Sequence, residues 1–267
     1  MTSETSRAPS LSGRRVLVTG ASRGIGAAVV TAMSANGAAV ACCARDIDAL
    51  RDLAARAPGP GKVQPFQADL SKFDQVDRFV EEAREALGGV DVLVTNAGQV
   101  SLRNFLETDE EDWAQTIRLN LLSAVRTVRR VVPTMLDQQW GRIIMVASSG
   151  AKYPEAAWID YAASKAGVVT TAVALAREYA ARNVLVNAVL PGVIDTPMWE
   201  GSAQAIAAVQ GGTAADVKSA VQSTLPMKRF GRPEEIAEFI VFLASDRASY
   251  LSGAAIDVDG ALASHVF

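Results

Sequence analysis

The stretch Arg15-Val16-Leu17-Val18-Thr19-Gly20-Ala21-Ser22-Arg23-Gly24-Ile25-Gly26 decides how the rest of this chain is read. Its apolar run has the length of one buried strand and ends in Thr19-Gly20. Three glycines fall within seven residues, and Ile25, Val29, Val30 and Met33 follow in a helical pattern. Strand, glycine turn and helix in that order make a phosphate cradle. Gly20 lets the chain leave the strand in a tight turn, Gly24 removes a side chain where a pyrophosphate must approach, and Gly26 lets the helix pack on the sheet. The free N–H groups at the helix start and the positive end of its dipole then face the anion. The glycines alone would equally suit a plain structural turn. The flanking strand and helix supply the context that a phosphate site needs.

Outward from this motif, 267 residues suit one α/β domain able to bury most of its apolar surface. Hydrophobic residues make up 49% and charged residues 21%, and the net charge is −3, so no attraction to nucleic acid or an anionic membrane is implied. The only cysteines, Cys42 and Cys43, are adjacent. On a strand they point to opposite faces, which excludes a disulfide framework and suggests a reducing compartment such as the cytoplasm. No apolar stretch is long enough to span a bilayer. Residues 1–10 lack the apolar core of a signal peptide and read as a disordered tail.

Strand and helix patterns alternate throughout, the mark of a doubly wound parallel sheet with helices on both faces. Strands are expected at 15–19, 39–43, 63–67, 90–94, 142–147, 184–189 and 254–258, and helices at 24–36, 47–56, 73–87, 110–138, 161–181 and 233–244. Pro58-Gly59-Pro60-Gly61 is a loop too short to link domains. No internal repeat is present, so residues 11–267 read as one α/β domain of about seven strands.

The Gly-x-x-x-Gly-x-Gly spacing of Thr19 to Gly26 resembles that of the short-chain dehydrogenase/reductase family, and further motifs in order strengthen the resemblance. Asn96-Ala97-Gly98 ends the fourth strand, with Thr95 where the family has a second asparagine. A threonine hydroxyl there could replace part of the lost hydrogen bonding. Tyr161-Ala162-Ala163-Ser164-Lys165 opens a helix thirteen residues after Ser148, and the serine-to-tyrosine spacing favours Ser148 over Ser149. Pro191-Gly192 ends the sixth strand. The resemblance implies a Rossmann-like fold with dinucleotide contacts from Gly20, Ser22, Arg23, Gly24, Ile25, Gly26, Arg45, Asp69, Leu70, Asn96, Ala97, Gly98, Tyr161, Lys165, Pro191, Gly192, Val193 and Thr196. It implies a substrate lid at 198–227, and a homotetramer or homodimer as the assembly.

The end of the second strand bears on which dinucleotide fits. An acidic residue there binds a ribose 2′-hydroxyl, whereas arginine accommodates a 2′-phosphate. This chain has Ala44-Arg45-Asp46, with Arg23 as a second guanidinium, which favours NADP(H). In the alternative reading, Arg45 belongs to an exposed helix start and Asp46 is the ribose ligand. Asp69 would touch the adenine edge by resemblance, or as a bare residue cap the helix from Phe73.

Tyr161 and Lys165 stand at i and i+4, on one helical face. Moving a hydride between nicotinamide and a carbonyl carbon requires a proton at the oxygen. A free tyrosine, with a pKa of about 10, is a poor base at neutral pH, and a nearby ammonium lowers that value. A drop of three units requires about 4 kcal/mol. Tyr161 is therefore the expected general acid/base and Lys165 its activating partner. By resemblance, Ser148 orients the substrate oxygen and Asn120 distorts its helix and anchors a proton-relay water, although a locally paired asparagine is the plainer reading. Tyr153, Pro154, Trp158, Ile159, Met198 and Trp199 either line an apolar pocket or belong to the core. His265 has no partner cluster and reads as non-catalytic, and no metal-ligand spacing occurs. The expected activity is reduction of a ketone or oxidation of a secondary alcohol. A 3-oxoacyl thioester, a polyketide-derived ketone, a steroid and a sugar all remain open as substrates. A redox sensor without turnover, and an epimerase or dehydratase using the cofactor transiently, are the alternatives.

Overall fold

The structure is a computed structural model that describes residues 10–263. The expected tail (Ser10 excepted) and His265 lie outside the described residues. Seven parallel strands form one sheet: β1 (Arg15–Thr19), β2 (Ala39–Ala44), β3 (Val63–Gln67), β4 (Val92–Thr95), β5 (Gly141–Val146), β6 (Val184–Pro191) and β7 (Ala255–Val258). Their order is β3-β2-β1-β4-β5-β6-β7. Winding therefore reverses between β1 and β4, and the crevice at their carboxyl ends is where doubly wound sheets bind ligands.

The helices are α1 (Gly24–Ala35), α2 (Ile47–Arg56), α3 (Phe73–Leu87), α4 (Glu110–Ile117), α5 (Ser123–Asp137), α6 (Ile159–Tyr179), α7 (Pro197–Gln210), α8 (Ala214–Thr224) and α9 (Pro233–Ala244). Local chemistry sets several ends. Asp46 caps α2 by accepting from Ala49 N–H at 3.0 Å, and Gly88 ends α3 in the left-handed conformation at φ 73°. Thr196 caps α7, with Pro197 in its first turn.

Two apolar layers cover the sheet. Leu17, Cys43, Leu93, Ile143 and Met145 face Phe79 of α3, Val131 and Met135 of α5, and Ala172 of α6. Their neighbours Val16, Val18, Cys42, Val94 and Ile144 face Val29, Val30 and Met33 of α1 and Ile236 and Ile240 of α9. Burial on both faces explains why the strands read as continuous apolar runs. The adjacent cysteines fall in opposite layers, and burial raises both thiols, Cys42 to about 12.

Two expected elements differ. The single helix expected over 110–138 is interrupted by a π-helical turn at Arg118–Leu122, which separates α4 from α5. Segment 198–227, the implied lid, for which no helix is expected, is mostly helical. It contains nearly all of α7 and the whole of α8, joined through Gly211 and Gly212, both at positive φ.

Gly26 carries the packing of α1 on the sheet, since a Cβ added there would lie 2.2 Å from the Gly20 carbonyl oxygen. A Gly26→Ala substitution is expected to lower stability by about 2 kcal/mol or more in urea unfolding. Gly201→Ala, in α7 with nothing within 4 Å of the added carbon, should be neutral or slightly stabilising.

Candidate active site

The candidate residues gather at the carboxyl ends of the strands. Gly20 adopts φ 67°, and a Cβ there would lie 2.6 Å from Ala97 Cα, so the turns after β1 and β4 touch backbone to backbone. Thr19 Oγ1 accepts from the N–H groups of Asn96 (3.0 Å) and Ala97 (3.2 Å). Asn96 Nδ2 donates in return to the carbonyls of Thr19 (3.3 Å) and Gly20 (2.9 Å). Thr95 does not replace the missing hydrogen bond: its Oγ1 is buried and has no partner among the described residues. Thr19 makes the strand-to-strand tie instead.

The first turn of α1 is open to an anion. Arg23 precedes it in extended conformation, no side chain caps it, and it contains no acidic residue. Gly24, at φ 58°, leaves room for Thr196, whose Cγ2 would lie 3.2 Å from an added Cβ. The turn after β6 thereby approaches the glycine turn. Arg23 and Arg45 are exposed, and neither guanidinium pairs with another described residue. Asp46 spends a carboxylate oxygen on capping α2, which weakens its case as a ribose ligand. Asp69 accepts from Ser71 N–H (3.1 Å) and Ser71 Oγ (2.7 Å), closing its own turn, and Lys72 rather than Asp69 stands at the N-cap of α3. Burial works to raise the Asp69 carboxyl, but the Ser71 hydrogen bonds, with Arg45 and Lys72 nearby, hold it below the usual range.

Ser148 follows β5 as the N-cap of a short 3-10 turn, and its Oγ accepts from Gly150 N–H at 3.1 Å. Tyr161 lies against Ser148: a Cβ added at Gly150 would be 3.5 Å from Ser148 Oγ and 4.0 Å from Tyr161 Cε1. Lys165 is buried and donates from Nζ to the Val146 carbonyl at 2.9 Å, with Nζ 5.7 Å from the Tyr161 ring centroid. Gly98 leaves the space beside them: a Cβ there would lie 3.2 Å from Asn120 Oδ1 and 3.4 Å from Lys165 Nζ. Asn120, in the π-helical turn, accepts from Gln99 N–H (2.9 Å) and donates to Gln99 O (2.9 Å) and Ser164 Oγ (3.1 Å). Its side chain is thus locally paired at both Oδ1 and Nδ2.

The sequence matches the short chain dehydrogenase family over residues 14–207. The chain belongs to that family. It is 38% identical over 253 residues to the 3-oxoacyl-[acyl-carrier-protein] reductase of Thermotoga maritima, spanning 94% of this chain and 98% of that one. An acetoacetyl-CoA reductase of Allochromatium vinosum is 34% identical over 255 residues, 94% and 99% of the two chains. L-sorbose reductase of Gluconobacter frateurii, solved with NADPH and L-sorbose, superposes with a TM-score of 0.92 at 34% identity, over 97% of this chain and 100% of that one.

Burial pushes the Tyr161 phenol up from its ordinary value, and the Ser148 hydrogen bond opposes that rise only in part. The Lys165 ammonium is turned to the Val146 carbonyl and is itself pushed down by burial to about 8. Sequence spacing singles out neither Thr19 nor Ser164, although both lie inside quoted motifs. Alternation does place Thr19 as the last residue of a strand, where a hydroxyl can reach the next turn. Of the six possible pocket residues, none is fully buried, so they form no part of the core.

The two threonines should respond oppositely to loss of the hydroxyl. Thr19→Val strands two backbone N–H groups and is expected to cost about 2 kcal/mol or more, whereas Thr95→Val removes an unpaired buried hydroxyl and should be neutral or stabilising by about 1 kcal/mol. Urea unfolding of both variants checks this, and equal losses would contradict it.

Proposed function

We propose that this chain is an NADP(H)-dependent reductase of ketones, working reversibly on secondary alcohols, with Tyr161 as general acid/base. The observation that carries this reading is the convergence of Tyr161 and Ser148 beside buried Lys165: a Cβ added at Gly150 would lie 3.5 Å from Ser148 Oγ and 4.0 Å from Tyr161 Cε1, and Lys165 Nζ is 5.7 Å from the Tyr161 ring centroid. The residues fit a dinucleotide: the first turn of α1 is uncapped, Arg23 lies exposed in the glycine turn before it, and Arg45 stands exposed at the end of β2 near Asp69. Gly20 to Gly26 and the first turn of α1 would hold the diphosphate, and Arg23 and Arg45 a 2′-phosphate. Asp69 and Leu70 would meet the adenine, Asn96 to Gly98 the flat face of the crevice, and the 191–196 segment the carboxamide. When bound, such a cofactor supplies or accepts the hydride.

The chain's own residues manage the proton. A phenol that burial keeps protonated is poised to give its proton to a carbonyl oxygen. Ser148 accepts from Gly150, so its hydroxyl proton stays free to orient that oxygen. Lys165 keeps a positive charge mostly intact at neutral pH, which favours the phenolate once the proton has left. The relatives support ketones as the substrate class, since those cited are named as reductases of 3-oxoacyl, acetoacetyl or ketose compounds. A variant of the actinorhodin polyketide ketoreductase, solved with NADPH, resembles the chain at a TM-score of 0.90 and 30% identity, over 94% of this chain and 98% of that one. Segment 198–227 would then close over the substrate. Its α8 is tied down by Lys218, which pairs with Asp195 at 2.7 Å.

Consumption of NADPH against a panel of ketones tests the activity. Tyr161→Phe should retain NADPH binding and lose at least about 100-fold in kcat. Parent-like turnover in that variant would refute the assignment. For the cofactor, joint substitution of Arg23 and Arg45 by alanine should raise the KM for NADPH at least about tenfold while leaving that for NADH little changed, because only the former has the 2′-phosphate. An equal effect on both would remove these arginines from recognition.

A further inference from the structure

Two hydrogen bonds join the helix that carries Asn120 to α6, one helical turn apart on each side. Thr116 Oγ1 donates to Asp160 Oδ2 at 2.6 Å, and Asn120 Nδ2 donates to Ser164 Oγ at 3.1 Å. Each receiving side chain also holds the main chain of Tyr161. The Tyr161 N–H donates to Asp160 Oδ1 at 2.8 Å, and the Tyr161 carbonyl accepts from Ser164 Oγ at 2.6 Å. The backbone of the proposed proton donor is therefore gripped on both sides by side chains anchored in a neighbouring helix.

The Asp160 end of this grip is more than a helix cap. The Tyr161 N–H is one of the first-turn donors that α6 cannot satisfy internally, and an exposed polar side chain would serve it. Asp160 is instead 3% exposed, and Thr116 is 5% exposed. No lysine or arginine pairs with Asp160 among the described residues. A buried carboxylate is costly unless hydrogen-bonded, and this one gives its second oxygen to a hydroxyl on α4. The π-helical turn begins two residues after Thr116. Thr116 thus ties α4 to α6 just before the irregularity, and Asn120 ties it from within.

We infer that Thr116 and Asp160 are positioning residues for Tyr161: the pair fixes the axial register of α6 so that the phenol meets Ser148. This rests on Tyr161 being the proton donor. A misplacement of about 1 Å in a reacting group can cost about 100-fold in rate, so small loosening here reaches the chemistry.

The full chain carrying Thr116→Val or Thr116→Ser tests the pair through kcat, the NADPH dissociation constant and hydrogen exchange at the amides around Tyr161. Thr116→Val is expected to lower kcat at least tenfold, leave NADPH affinity within twofold, and speed exchange at those amides at least tenfold relative to the sheet. Thr116→Ser, which restores the hydroxyl, should recover both. A Thr116→Val variant with kcat within twofold of the parent overturns the inference, whatever its melting temperature, as does a loss that Thr116→Ser does not repair. Tyr161→Phe in the same assay separates the two readings. If it is inactive beside a fully active Thr116→Val, only the positioning role fails; if it turns over normally, the proposed function fails and takes this inference with it.

Discussion

Lys165 holds an ammonium group where water scarcely reaches, at 4% exposure, and the Val146 carbonyl is its hydrogen-bond acceptor. Burial brings the amine down from 10.5 to about 8, so keeping it charged at neutral pH costs the folded state about 3 kcal/mol. The sign follows from the direction. The unfolded chain binds the proton more tightly, so the penalty is complete below about pH 8 and fades as pH rises toward the unfolded value. The rest of the site is arranged around this charge. Gly98 keeps a side chain from reaching it, Asn120 ties the chain beside Gly98 to α6, and Ser148 and Tyr161 complete the wall.

The scaffold that tolerates this cost is the pair of apolar layers packed on a sheet buried on both sides. Because the strand order reverses between β1 and β4, the glycine turn and the Asn96-Ala97-Gly98 turn meet at one end of that sheet. The Thr19–Asn96 exchange of hydrogen bonds holds them in contact. The uncapped first turn of α1, the Arg23 guanidinium and the buried ammonium thus lie at one end of the sheet. Exposed guanidiniums at this end suit an anionic dinucleotide, and the buried ammonium suits a developing oxyanion.

Much of this was legible in the residues. The strand from Arg15 to Thr19, the left-handed glycine after it, and the i and i+4 relation of Tyr161 to Lys165 all follow from local pattern. Strand boundaries differ from expectation by one or two residues, as at β4, because apolar runs do not mark where a ladder begins. Four things were not legible, each depending on contacts distant in sequence. The π-helical turn leaves the apolar periodicity of 110–138 nearly intact, so the pattern reads as one helix. The Thr95 hydroxyl could be judged only once its neighbours were in place. The phenol's upward shift comes from burial, which no spacing between Tyr161 and Lys165 reveals. Asp160 and Thr116 escaped for the same reason: an aspartate before a tyrosine means little until a threonine from another helix reaches it.

The central claim is that Lys165 is kept charged and buried for chemistry at the expense of stability. Equilibrium urea unfolding of Lys165→Met beside the parent, with turnover measured on the same samples, tests it most directly. The account predicts that the variant is more stable at pH 7 by about 1–3 kcal/mol, after allowing for a Val146 carbonyl left without that donor. The gap should narrow as pH rises above 8, and ketone reduction should be nearly abolished. A variant that is less stable at pH 7, or that reduces ketones as fast as the parent, would contradict it.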